Sequence, residues 1–128
     1  MSWDEAVIWH DTECAGYAAD LGLWRELAAE AGGPVLDLGC CTGRVALDLA
    51  AAGLAVTAVD SAPALVRALA ARARERGLRV DAHALDARTL QLGRTFALAI
   101  APMQVVQLLG GSAGRRAMLA AVRAHLEP

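Results

Sequence analysis

Apolar positions fall along this chain in two rhythms, spacings of three and four in some stretches and short unbroken runs in others. Tyr17, Leu21, Trp24, Leu27 and Ala28 recur at helical spacing, which predicts an amphipathic helix over 12–31, stopped by Gly32-Gly33-Pro34. Val35-Leu36-Asp37-Leu38 follows as a buried strand, then a helix over 44–52 that begins near Thr42 or Gly43 and closes at Gly53. Leu54 to Val59 is a second apolar run, ending in Asp60. Ser61 is placed to cap a helix over 62–76, with Pro63 in its first turn and Gly77 at its end. Leu78 to His83 alternates as a third strand. Phe96 to Ala101 is an apolar fourth, followed by a turn at Pro102 and a short helical stretch through Leu109. Ser112 is placed to cap a last helix over 113–126.

Strands that alternate with helices over short connections predict a parallel sheet with helices on both faces, a Rossmann-like α/β domain. No linker, charge block or repeat divides the chain, so residues 1–128 read as a single domain, with the N-terminal helix at 12–31 and a core at 34–128. A chain of 128 residues supports a real core but is short for a doubly wound sheet. A helix in the position of 113–126 is normally followed by another central strand. The expectation is a sheet truncated after its fourth strand and helices, its open apolar edge covered by a homodimer partner or by a missing C-terminal segment.

Composition works mainly by exclusion. With 56% hydrophobic and 4% aromatic residues, the core must be built from Ala, Val and Leu. A net charge of -2 leaves no basic footprint for nucleic acid or an anionic membrane surface, and all 12 basic residues are arginines. The uncharged run from Thr95 to Gly114 approaches the length of a bilayer span, but Pro102, Gln104, Gln107, Gly110, Gly111 and Ser112 interrupt it, so a strand, turn and helix describe it better than a membrane segment. Cys14, Cys40 and Cys41 lack paired spacing, and Met1-Ser2-Trp3-Asp4-Glu5 is acidic where an export leader is basic; both point to a reducing cytoplasm. Adjacent Cys40 and Cys41 suit packing better than a metal, so no metal site is expected; His10, His83 and His125 have no ligand spacing among themselves, and His83 reads as a surface or turn residue.

The candidate chemistry lies at Gly39-Cys40-Cys41-Thr42-Gly43, after the first strand, where open α/β sheets bind ligands. The loop lacks the middle glycine of the dinucleotide fingerprint, which disfavours a nicotinamide-dependent oxidoreductase, and it has no lysine for a nucleoside-triphosphate loop. Asp37 would repel an anion there, so the ligand is expected to carry positive charge.

The stretch Val35 to Arg44 resembles motif I of the class I S-adenosylmethionine-dependent methyltransferases, and the resemblance runs over residues 17–127. It implies S-adenosylmethionine as cofactor and methyl transfer to a small-molecule acceptor, by alignment of the acceptor and exclusion of water rather than by acid–base chemistry. Asp37, Gly39, Cys40 and Gly43 would then hold the cofactor at the first bend. Asp60, with Ser61 beside it, would accept the ribose hydroxyls. Asp86 would accept from the adenine amine, Ala87 would offer its backbone N–H, and Ala101 with Pro102-Met103-Gln104 would border donor and acceptor. Tyr17 either reaches the cofactor's carboxylate end or packs in the core. No catalytic residue is named. Cys41 stands at the middle glycine of the motif, where a side chain is expected to crowd the cofactor. The competing reading is a non-catalytic module that binds the nucleoside or a partner subunit.

Overall fold

The computed structural model describes residues 5–102 and 109–128. Four parallel strands, β1 (Val35–Leu38), β2 (Val56–Asp60), β3 (Asp81–Ala84) and β4 (Leu98–Ile100), form one sheet in the order β3-β2-β1-β4. This is the Rossmann-like arrangement expected. Val35 stands opposite Val56 on one side and Leu98 on the other, so β1 is flanked by strands and its side chains are buried on both faces. That is why its sequence is an unbroken apolar run apart from Asp37.

The helices are α1 (Glu5–His10), α2 (Leu21–Ala31), α3 (Arg44–Ala51), α4 (Pro63–Glu75) and α5 (Gly111–Ala124). Ala28 of α2, Val45 and Leu49 of α3 and Leu69 of α4 pack with Val35, Val56, Ala58 and Ile100 on one face. Met118 of α5 packs with Leu36, Leu38, Val59 and Phe96 on the other. Sheet and helices thus bury apolar surface on both sides, the dominant favourable term for such a layered core.

Several local expectations are corrected. The helix predicted over 12–31 is divided: α1 runs into a π-helical turn at Asp11–Ala15, and α2 begins only at Leu21. Asp20, just before α2, accepts from Trp24 Nε1 at 2.7 Å and from Arg44 Nη2 at 2.9 Å, a cross-fold pairing that no local periodicity reveals. Tyr17 is 50% exposed, with Arg44 5.5 Å over its ring, so it is not a core residue. Ser61 does not cap α4; Ala62 holds the cap position, and its N–H is satisfied by Asp60 Oδ1 at 2.9 Å. Nor does Ser112 cap α5, which starts from left-handed Gly110. The third strand begins at Asp81 rather than Leu78, because Leu78 N–H still bonds the Ala73 carbonyl at 2.8 Å as α4 ends. The fourth strand is confined to Leu98–Ile100, and the helical stretch expected before Leu109 falls on 103–108, outside the described residues.

The last helix ends at Ala124, and the chain then returns to the sheet. Phe96 bridges Leu126 in parallel, with Phe96 N–H on the His125 carbonyl at 2.7 Å and Glu127 N–H on the Phe96 carbonyl at 2.9 Å. The approach to β4 is therefore paired on its outer side. His125 is buried: its Nδ1 donates to the Ala121 carbonyl at 2.6 Å and its Nε2 accepts from Leu92 N–H at 3.0 Å.

Candidate functional site

All four strands point their carboxyl ends at one edge of the sheet, and there the loop after β1 makes three alternating left-handed turns, at Gly39 (φ 69°), Cys41 (φ 55°) and Gly43 (φ 99°). Among the described residues Cys41 is the one non-glycine with positive φ, and it sits where the motif has its middle glycine. The coil is fixed from below, since Gly39 and Cys40 N–H both donate to the Val59 carbonyl, at 2.7 and 3.0 Å, and Gly43 N–H donates to the Cys40 carbonyl at 2.9 Å.

Two adjoining hollows flank this loop and share Gly39 and Cys41. The larger, about 210 Å³, is lined by Val59, Asp60, Ser61, Leu85, Asp86, Ala87, Arg88 and Leu109. The smaller, about 50 Å³, is lined by His10, Cys14, Asp37, Cys40, Arg44, Val45 and Pro102.

Asp37 dominates the smaller hollow. It is 1% exposed, and neither carboxyl oxygen has a hydrogen-bond partner among the described residues. Burial, with a smaller contribution from Asp60 and against the pull of Arg44, pushes its pKa up to about 8. Arg44 does not neutralise it because its guanidinium is turned to Asp20, which that pairing pulls down to about 2. Burial therefore disfavours the charged form of Asp37, and a cation placed beside it would favour that form. An unpartnered buried carboxyl of this kind costs stability and asks for a donor.

Asp60 lines the larger hollow. Its Oδ2 accepts from Cys41 N–H at 3.0 Å and its Oδ1 from Ala62 N–H at 2.9 Å. Each oxygen thus uses one lone pair on the backbone and keeps another, which leaves the carboxylate able to accept from a vicinal diol. Across the larger hollow, Asp86 Oδ1 accepts from Arg88 N–H at 2.8 Å and caps the 3₁₀ turn Ala87–Thr89, while its carboxylate grips the Arg88 guanidinium. That guanidinium holds the Asp86 carboxyl down at about 2.

Of the residues singled out by sequence, Asp37, Gly39, Cys40, Asp60, Ser61, Asp86 and Ala87 meet around the two hollows. Gly43 reaches neither; it is the left-handed entry to α3 and packs on Leu47 and Leu69. Ala101 packs against the core on the α5 side, and its neighbour Pro102 lines the smaller hollow instead. His10, Cys14 and Arg88 escaped sequence reasoning. His10 is brought in because Asp11 joins Arg72 of α4 at 2.6 Å and accepts from the Thr42 hydroxyl at 2.9 Å. His10 Nδ1 then lies 3.4 Å from that hydroxyl, and burial lowers its pKa. For Arg88, the one available signal was an arginine two positions after an acid on a turn.

Comparison with known proteins bears on this geometry. Residues 35–128 match the family described as Methyltransferase domain. No curated protein matches. The solved structure of CalS10, an amino pentose methyltransferase from Micromonospora echinaspora with S-adenosylmethionine bound, is similar at 28% identity and TM-score 0.78, over 100% of this chain and 54% of that one. The CcbJ methyltransferase from Streptomyces caelestis is similar at 27% identity and TM-score 0.75, over 89% of this chain and 51% of that one. The glycopeptide N-methyltransferase MtfA complexed with S-adenosylmethionine is similar at 30% identity and TM-score 0.75, over 90% and 53%. This chain therefore spans about half the length of the structures it matches.

Proposed function

The chain belongs to the methyltransferase-domain family, among the class I S-adenosylmethionine-dependent methyltransferases, and from that premise we propose that it binds S-adenosylmethionine for methyl transfer to a small-molecule acceptor. The observation that carries the reading is the pairing of Asp37, a buried carboxyl with no hydrogen-bond partner among the described residues, and Asp60, a carboxylate with spare lone pairs, on either side of one left-handed loop. A zwitterionic sulfonium nucleoside presents an ammonium group to the first and a ribose diol to the second. The cofactor supplies the electrophilic methyl; the protein's part is to bind, orient and keep out water. Asp37 exchanges a proton for the cofactor's cation, Asp60 fixes the ribose, and Gly39 lets the nucleoside lie close to the backbone. Glycopeptide and amino-sugar acceptors of the similar enzymes, and the half-length match, favour a sugar-bearing acceptor completed by further chain or a second copy along the β4 side. No helix among the described residues is long and apolar enough to cross a membrane.

Calorimetric titration with S-adenosylmethionine and S-adenosylhomocysteine tests the reading. Asp60→Ala is expected to weaken both about 10–100-fold, the cost of losing hydrogen bonds to a charged acceptor. Unchanged affinity in that variant would remove the ribose assignment.

Cys41→Gly is expected to tighten both ligands about threefold or more, because it clears the Cβ and Sγ that line both hollows. Its melting temperature should rise by a few degrees at most, since relief of the left-handed backbone, about 1 kcal/mol, is partly offset by glycine's greater freedom in the unfolded chain. Weaker binding in Cys41→Gly would show that the thiol contributes a contact rather than an obstruction.

A further inference from the structure

The far end of the larger hollow is built differently from the family pattern that Asp86 suggests. Asp86 Oδ1 already accepts twice, from Arg88 N–H at 2.8 Å and Arg88 Nε at 3.0 Å. Its Oδ2 accepts from Arg88 Nη2 at 2.7 Å and stands 3.2 Å from Nε. A carboxylate offers about four acceptor sites in its plane, and a fork-shaped guanidinium takes up the best of them. Arg88 itself lines the hollow beside Ala87 and Leu109, and its Nη1 lies 3.6 Å from where a side chain on Gly110 would begin. The guanidinium thus spans from Asp86 to the start of α5, with its remaining donors unclaimed by any hydrogen bond among the described residues.

Resting on the assignment of this hollow to the cofactor's nucleoside, we propose that Arg88 is the residue that contacts the purine, and that Asp86 is its anchor rather than the acceptor for the exocyclic amine. An arginine donates to ring nitrogens or stacks on the base, and it tolerates an oxo group as readily as an amine. A free carboxylate accepts from an amine and rejects an oxo group. The carboxylate therefore selects the amino base, whereas the arginine distinguishes the two bases little.

The test compares binding of S-adenosylhomocysteine and S-inosylhomocysteine, which differ in that amine, by calorimetry on the full chain. Arg88→Ala is expected to release Asp86 and raise the preference for the amino base roughly tenfold. Asp86→Ala is expected to weaken both ligands while leaving their ratio within about twofold of the original, because the arginine's remaining donors do not distinguish them. Loss of the amino preference in Asp86→Ala overturns the proposal, as does equal weakening of both ligands in Arg88→Ala, the mark of a merely structural pair. If the unaltered chain binds neither ligand, the methyltransferase reading itself falls, and this proposal with it; if it binds S-adenosylhomocysteine and the ratio does not move in Arg88→Ala, this proposal alone falls.

Discussion

Exchange of Gly43 for alanine is expected to lower the stability of the fold by about 2–5 kcal/mol, the sum of a left-handed backbone cost and an overpacked core. Gly43 has φ 99°, and a Cβ there would stand 2.6 Å from Leu69 Cδ1 and 3.0 Å from Leu47 Cγ. Neither leucine can step aside cheaply, because both are buried within the layer between sheet and helices. The same residue ties the loop to α3, its N–H on the Cys40 carbonyl at 2.9 Å and its carbonyl accepting from Leu47 N–H at 2.8 Å. Relief of the clash therefore displaces Cys40 and Cys41, so affinity for S-adenosylhomocysteine should fall with stability even though Gly43 lines neither hollow. Urea denaturation with the midpoint lowered and the slope unchanged is the expected signature. An unmoved midpoint would mean that the loop does not take the left-handed path described.

Asp37→Asn is expected to separate stability from binding in opposite directions. Burial raises the folded-state pKa of Asp37 from 3.8 to about 8, so the folded protein holds a proton that the unfolded chain gives up. The associated stability is complete below about pH 4 and is lost as pH climbs from there to about 8, after which the penalty is constant. Asparagine removes that penalty. Thermal unfolding at pH 7 should show the variant more stable by about 1–3 kcal/mol, well under the ideal limit because buried acids relax, and its stability should vary less between pH 4 and 8 than that of the parent. Cofactor affinity should drop about 10–100-fold for want of an ionisable partner to the ammonium. Below pH 8 the parent should release a proton as it binds, measurable by titration in buffers of different ionisation heat, and the variant should not. A variant less stable than the parent at pH 7 would contradict the burial of an unpartnered acid.

The strands and the gathering of acids were legible because each rests on a short-range rule. Val35–Leu38 and Val56–Asp60 are buried on both faces and so read as unbroken apolar runs. A parallel sheet puts the carboxyl end of every strand on one edge, so Asp37, Asp60 and Asp86 had to converge once the alternation of strands and helices was seen. The caps were illegible because they depend on competition. Ser61 is an ordinary capping residue, yet Asp60 reaches the orphan N–H first. At α5 a left-handed glycine does the work expected of Ser112. The division of the N-terminal helix and the burial of His125 are tertiary facts, set by Arg44 pulling on Asp20 and by the Leu92 N–H seeking an acceptor. The burial that pushes the Asp37 carboxyl toward its neutral form was not legible in sequence, since it depends on how completely its surroundings exclude water.

The manner in which residues 5–20 are attached has a consequence for how anything enters the smaller hollow, one wall of which is His10 and Cys14. In α1 Val7 is the buried apolar side chain, and the ionic attachments of this segment include Asp11 gripping Arg72 and Asp20 gripping Arg44. Attractions between partly exposed charges fade in concentrated electrolyte, whereas apolar burial does not. Added salt is therefore expected to loosen the Asp11–Arg72 fastening of this wall more than the better-buried Asp20–Arg44 pair or the packing of Val7.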